Sequence, residues 1–205
     1  MNKNSLKVRF LSTFITNILR VGISFIAGLV IARTLGPGEY GNFNFLLGSF
    51  TSLATLADIA SSYAFYTFIS QRQRGRKFFF YYSGWVLAQL LILLLFVLFL
   101  PDSIRQKIWL GHQFEMVFLA LLASIAMNQL WRLAAQIGES IRDTVGVQIR
   151  NLSLAVAYLV CVTVLAGFHV ISLKNLFFLN ILLYLLFSGL YAWRIYKTGI
   201  LSKGE

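Results

Sequence analysis

Charge is scarce in this chain, and acidic charge scarcest: Asp and Glu together number seven among 205 residues, and all charged types reach only 12%. A soluble domain carries roughly a quarter charged residues, so this composition excludes an ordinary water-soluble fold. Cysteine occurs once, as Cys161, so no disulfide within the chain and no cysteine metal cluster is possible. The two histidines, His112 and His169, fall in loop positions away from any group of carboxylates, and no metal site is expected. Paired catalytic carboxylates, nucleophile and base constellations and glycine-rich phosphate loops are all missing. Neither an enzyme nor a cofactor is expected from such a set. Proline appears twice, at Pro37 and Pro101, which leaves long stretches free to be helical.

What fills the chain is apolar. Hydrophobic residues make up 58% and aromatics 16%, with a mean hydropathy of +0.74. Crossing about 30 Å of hydrocarbon takes about 20 apolar residues at 1.5 Å each. Six stretches satisfy this: residues 10–32, 43–70, 78–100, 114–137, 149–168 and 176–196. The predicted fold is therefore an all-α integral membrane protein with six transmembrane helices in a single unit. The first stretch contains Arg20, is long and lacks a small-residue cleavage site, so it reads as a retained helix and not as a signal peptide. Between the first two stretches lie Gly36, Pro37, Gly38 and Gly41, a hinge in which glycines accept positive φ and proline withdraws a backbone donor. The second half of the third stretch, LLILLLFVLFL, is apolar all round and is predicted to face lipid. After it, residues 102–113 form a polar connection in which Trp109 suits an interfacial belt.

Basic residues set the orientation. With the N-terminus inside, the cytoplasmic side receives Lys3, Lys7, Arg9, the run QRQRGRK at residues 71–77, then Arg142, Arg150, Arg194, Lys197 and Lys203. The opposite side receives Arg33, Arg105, Lys107 and Lys174. Lysine and arginine concentrate on cytoplasmic loops, so both ends are predicted to lie inside. The same residues account for the net charge of +11 and a pI near 10.1 through attraction to anionic membrane lipid, with no nucleic-acid partner required.

Polar residues inside the spans are the informative ones, because a charge at bilayer depth costs several kcal/mol unless it meets protein or water. At 100° per residue, Thr13, Thr16, Asn17, Arg20 and Ser24 share one face of the first helix. Asn44, Thr51, Thr55, Asp58 and Ser62 form a stripe on the second, and Ser124, Asn128 and Arg132 one on the fourth, with Glu139 on the same line. The simplest arrangement aims the three stripes at one wet cavity whose binding residues are Arg20, Arg132, Asn17, Asp58 and Asn128. Duller roles stand beside these: small hydroxylated residues also serve close helix packing, Arg132 lies near enough to an end to snorkel, and Asp58 has a structural role available as the ion-pair partner of Arg20.

The hinge segment ARTLGPGEYG at residues 32–41 resembles the connection between the first two helices in the polysaccharide-biosynthesis, O-antigen flippase branch of the multidrug/oligosaccharidyl-lipid/polysaccharide (MOP) flippase superfamily. LATLADIA at residues 53–60 is similar to the second helix of that family, and NQLWRLAAQIGESIRDTVGVQIRNLSLAV at residues 128–156 to its fourth and fifth. The resemblance implies an inner-membrane flippase of O-antigen and lipopolysaccharide synthesis that moves an undecaprenyl-pyrophosphate-linked oligosaccharide across the bacterial inner membrane. It also implies a V-shaped fold of two six-helix lobes, with cavity bases facing the pyrophosphate, a role open here to Arg20 and Arg132. The six spans correspond to the N-terminal lobe alone, so the expectation is a truncated chain or a half-transporter that pairs with a second six-helix lobe or as a parallel homodimer. A cation-coupled multidrug exporter of the same superfamily and a non-transporting six-helix scaffold are the alternatives.

Overall fold

The structure is a computed structural model that describes residues 6–71, 76–140 and 143–197. Lys3, Arg72, Arg74, Arg142 and Lys203, all counted in the orientation argument, lie outside the described residues. In chain order the elements are α1 (Leu6–Asp58), α2 (Ser61–Gln71), α3 (Arg76–Phe99), α4 (Asp102–Ile108), α5 (Phe114–Ser124), a π-helical turn (Ile125–Leu130), α6 (Trp131–Ser140), α7 (Thr144–Gly167) and α8 (Leu173–Lys197). No strand occurs among the described residues. Among the described residues five helical stretches are long and apolar enough to cross a membrane: Phe10–Asp58, Lys77–Phe99, Phe114–Ser140, Thr144–Gly167 and Leu173–Arg194. The protein is an all-helical, multi-pass membrane protein.

α1 is 53 residues long, and a straight helix of that length would extend about 80 Å, far more than a bilayer. Gly36 breaks it, with φ 78 and ψ 168, a region that only glycine occupies without strain. Pro37 follows as the first residue of the second arm, where its missing N–H has no intrahelical partner to lose. Across the bend, a Cβ built on Gly28 would lie 3.4 Å from the Tyr40 hydroxyl. Twelve residues of straight helix span about 18 Å, well beyond a tyrosine's reach, so the arms (residues 6–35 and 37–58) fold back on each other. Within the hinge, positive φ is confined to Gly36: Gly38 and Gly41 lie in helical backbone, which narrows the expected four-residue hinge to one pivot and its proline.

The expected span 43–70 is not one helix. It is interrupted after Asp58, where Ile59 and Ala60 take φ 45 and φ 57, a conformation costing an L-residue roughly 1–2 kcal/mol each. Side chains offset that cost. The Asp58 carboxylate accepts the Ser62 backbone N–H at 3.1 Å and the hydroxyls of Ser61, at 2.7 Å, and Ser62. Gln89 of α3 donates from Nε2 to the Ala57 carbonyl at 3.0 Å, a group the break releases from the helical ladder.

The core runs through α1, α3, α5, α7 and α8, with Leu46, Phe50, Val97, Val117, Leu176 and Phe177 among its most enclosed side chains. Phe43 of the second arm stacks on Phe177 of α8 at 5.3 Å between ring centroids. α3 turns Leu90, Leu93 and Val97 inward and leaves Leu91, Ile92, Leu95 and Phe99 exposed, so its second half faces lipid on one side only. Trp109 is not interfacial. The short helix α4 redirects the connection, and the indole is fully buried against Phe50, at 5.2 Å between centroids, while its Nε1 donates to Ser49 Oγ at 3.1 Å. Burying so large an apolar ring is favourable once its single polar atom has a partner.

Candidate functional site

Folding α1 at Gly36 brings its two arms together beside the π-helical turn, α7 and α8, and between them lies a cavity of about 700 Å³. Each wall follows helical periodicity. The first arm contributes Arg20 and Ser24 with Val21 and Phe25, the second Phe43 and Leu47. From α7 come Asn151, Leu154, Ala155 and Tyr158, from α8 Asn180 and Tyr184, spaced three or four apart as one helix face requires. Met127 and Asn128 enter from the π-helical turn, and Trp131 from the start of α6. π-Helical turns within α-helices recur at functional sites. Here the turn Ile125–Leu130 carries Asn128 to the cavity while Ile125, Ala126 and Gln129 stay buried.

Chemically the lining combines one guanidinium, three carboxamides, two phenols and a hydroxyl with apolar and aromatic surface, and none of the lining residues is acidic. Arg20 is exposed. The ion pairs among the described residues are Arg105–Asp102, Arg132–Asp58, Arg150–Asp143 and Lys174–Glu115, and Arg20 belongs to none of them. Asn128 is held by donating from Nδ2 to Thr51 Oγ1 at 3.0 Å and to Ser124 Oγ at 3.1 Å, bridging the second arm and α5. Trp131 Nε1 donates to Asn151 Oδ1 at 2.9 Å, which fixes both the indole plane and the amide. Asn180 is 2% exposed, and its side-chain amide is paired with the Tyr158 hydroxyl.

Of the five binding residues expected from the stripes, Arg20 and Asn128 line this cavity. Asn17, one turn before Arg20, is half-buried and is not part of the lining. Asp58 and Arg132 stand apart from it, at the break between α1 and α2. There Arg132 Nη1 lies 3.8 Å from Asp58 Oδ2, and its guanidinium sits over the Tyr63 ring at 5.7 Å. The partner of Asp58 is therefore Arg132 and not Arg20, and the three charges do not share one cavity. The reason is the chain break: Asp58 turns its carboxylate onto Ser61 and Ser62 to start α2, which directs it away from the first arm.

Sequence reasoning missed Trp131, Asn151, Tyr158, Asn180 and Tyr184. A usable signal was present, since Asn151 and Tyr158 are seven residues apart on the fifth apolar stretch and Asn180 and Tyr184 four apart on the sixth, each pair on one helix face. Among the described residues no group of three or more histidine, cysteine or acidic side chains is placed to hold a metal ion. No protein-family profile matches this chain, and neither a characterised protein nor a solved structure is significantly similar to it.

Proposed function

We propose that this protein is a six-span lobe of a flippase in a bacterial inner membrane, moving an undecaprenyl-pyrophosphate-linked oligosaccharide of O-antigen or related polysaccharide synthesis from the cytoplasmic to the periplasmic leaflet. The two arms of α1 count as separate spans, with both chain ends cytoplasmic. A second six-helix lobe, or a second copy lying parallel, faces the cavity from the other side.

The observation that carries this reading is Arg20, an exposed guanidinium on a cavity whose lining holds no carboxylate and in no ion pair of the described residues. A cation within a membrane span costs several kcal/mol unless compensated. In a cavity without acidic groups, compensation comes from a ligand anion, and the planar fork of arginine suits phosphate oxygens two at a time. A polar headgroup crossing hydrocarbon needs a hydrated route, because each unpaired polar group is penalised there. The amides and phenols of the cavity supply such a route for the headgroup. Phe14, Ile18 and Phe25 on the exposed sides of the first arm offer the polyprenyl chain an apolar path alongside.

The test is removal of the gene from its own host, with lipid-linked oligosaccharide assayed by leaflet and polysaccharide assayed at the surface. Loss of surface polysaccharide, restored by the wild-type gene but not by Arg20→Ala and only weakly by Arg20→Lys, is the expected result. Normal surface polysaccharide in the deletion strain, or full restoration by Arg20→Ala, would refute the proposal.

A further inference from the structure

The polar faces of α7 and α8 do not stop at the floor of the cavity. Asn151 and Ala155 line it from α7, and Gln148 lies on the same face one turn nearer the start of that helix. On α8, Asn180 and Tyr184 line it, and Ser188 and Tyr191 continue their row at spacings of four and three residues. Beyond the floor these faces are buried: Gln148 is 6% exposed and Ser188 9%. Gln148 Oε1 and Ser188 Oγ have no hydrogen-bond partner among the described residues. Against this stretch packs α6. Its Trp131 belongs to the cavity lining and lies 6.5 Å from the Tyr191 ring, centroid to centroid, so the floor of the cavity is one edge of the junction. Two helical turns further, a Cβ on Gly138 would overlap the Tyr191 hydroxyl and come within 2.7 Å of Val147 Cγ2. Arg150 fastens the far end: its guanidinium lies 3.8 Å from the Tyr191 ring centroid and donates to Asp143 Oδ2 at 3.2 and 3.3 Å. A permanent helix contact gains nothing from buried polar atoms that it leaves unpaired, since each one destabilises it. Water admitted between the helices would satisfy them.

We propose that the junction of α6 with α7 and α8 is a closed portal of the cavity: α6, moving about the π-helical turn that precedes it, exposes a hydrated passage past Ser188 and Gln148 to the membrane face beside Arg150 and Asp143. The pivot suits this motion. A π-helical turn holds its hydrogen bonds at i→i+5, a rarer pattern than that of the flanking α-helices, and exchange between the two patterns rotates the helix beyond it by one residue, about 100°. The Arg150–Asp143 pair and the Tyr191–Gly138 contact hold the closed state, and hydration of Gln148 and Ser188 favours the open one. The inference deepens the flippase reading and rests on it only for calling that face cytoplasmic, the side from which the ligand enters.

The full chain, with Cys161→Ser, is placed in right-side-out and inside-out membrane vesicles carrying one reporter cysteine at a time. Lys197→Cys marks the face at the end of α8, Ser188→Cys reports on the passage, and Val162→Cys, in the core of the bundle, reports on general loosening. A membrane-impermeant methanethiosulfonate is applied to the face that labels Lys197→Cys. Ser188→Cys is expected to react measurably there and Val162→Cys not to react. Adding Arg150→Gln is expected to raise the Ser188→Cys rate about tenfold, the population shift that one lost charge-assisted hydrogen bond produces. Gly138→Ala, which wedges α6 away from Tyr191, is expected to raise it at least as much, and neither change is expected to alter Val162→Cys. A Ser188→Cys rate no faster than that of Val162→Cys in the otherwise unaltered protein overturns the portal, as does a rate unmoved by Arg150→Gln or an equal acceleration of both reporters. If Gly138→Ala does not fold, Arg150→Gln decides, and if neither folds, the two reporters in the otherwise unaltered protein decide. The face itself tests the orientation separately: labelling of Lys197→Cys from outside keeps the portal and removes the cytoplasmic loading that the flippase needs, whereas failure of the portal leaves the Arg20 contact and the flippase standing.

Discussion

Gly36 and Gly38 are two residues apart in the same turn, yet the structure assigns opposite signs to the same substitution at each. Gly36 has φ 78 and ψ 168, and a Cβ added there meets no atom within 4 Å. Gly36→Ala therefore carries no steric clash with neighbours, and its whole effect is the backbone cost of placing an L-residue in a glycine-only region, about 1–3 kcal/mol. Gly38 is helical and also has open space around its would-be Cβ. Gly38→Ala leaves the fold untouched and restricts the unfolded chain, which stabilises by about 0.4–1 kcal/mol. The two variants are thus expected to differ by at least about 1.4 kcal/mol in reversible denaturation from bicelles, with wild type between them. Proteolysis at the bend gives an independent readout, since the Gly36 variant opens it more often. Equal stabilities, or a Gly38→Ala variant less stable than Gly36→Ala, would show that the reversal of α1 does not depend on the Gly36 dihedrals.

The ion pair at the α1–α2 break separates in the same way: Asp58→Ala removes the acceptor of three hydrogen bonds and is expected to cost about 1–3 kcal/mol. Arg132→Gln removes a guanidinium that is itself 37% exposed and only 3.8 Å from the buried Asp58 carboxylate, together with its place over the Tyr63 ring, and unfolding measurements should find a loss below about 1 kcal/mol; comparable losses for both would mean that the carboxylate acts as a charge and not as a cap. Trp109→Ala should destabilise by about 3–5 kcal/mol through cavity formation, whereas Trp109→Phe, which keeps most of the ring but drops the bond to Ser49, should cost about 1 kcal/mol in the same assay; a near-neutral Trp109→Ala would place the indole outside the core. For topology, with Cys161 replaced, a membrane-impermeant thiol reagent added outside should label Ser103→Cys and spare Gln73→Cys, and the reverse pattern would invert the orientation and the leaflet from which the cavity loads.

Hydrocarbon as the solvent, and where most helices begin and end within it, were legible in the sequence because both depend on local composition. The apolar stretch 78–100 is α3, Arg76–Phe99, and 176–196 lies inside α8, Leu173–Lys197. Stretch 114–137 falls within Phe114–Ser140 and 149–168 overlaps α7, Thr144–Gly167. Gly36 was legible for the same reason, since the conformations open to a residue without Cβ do not depend on its neighbours in space. Arg20 and Asn128 were found because a charge or an amide is conspicuous in an apolar helix. The rest was decided between elements. Nothing local marks Ile59 and Ala60 as a break: there is no glycine or proline, and the turn stands because Asp58 and, across from α3, Gln89 satisfy the groups it exposes. Trp109 looked interfacial because its enclosure depends on Ser49 and Phe50, about sixty residues distant in sequence. The choice of Arg132 over Arg20 for Asp58, and the placing of Asn151 and Asn180 on one cavity with Arg20, likewise follow from which helices pack together. Helical periodicity determines which residues share a face, but only packing against other helices determines what that face meets.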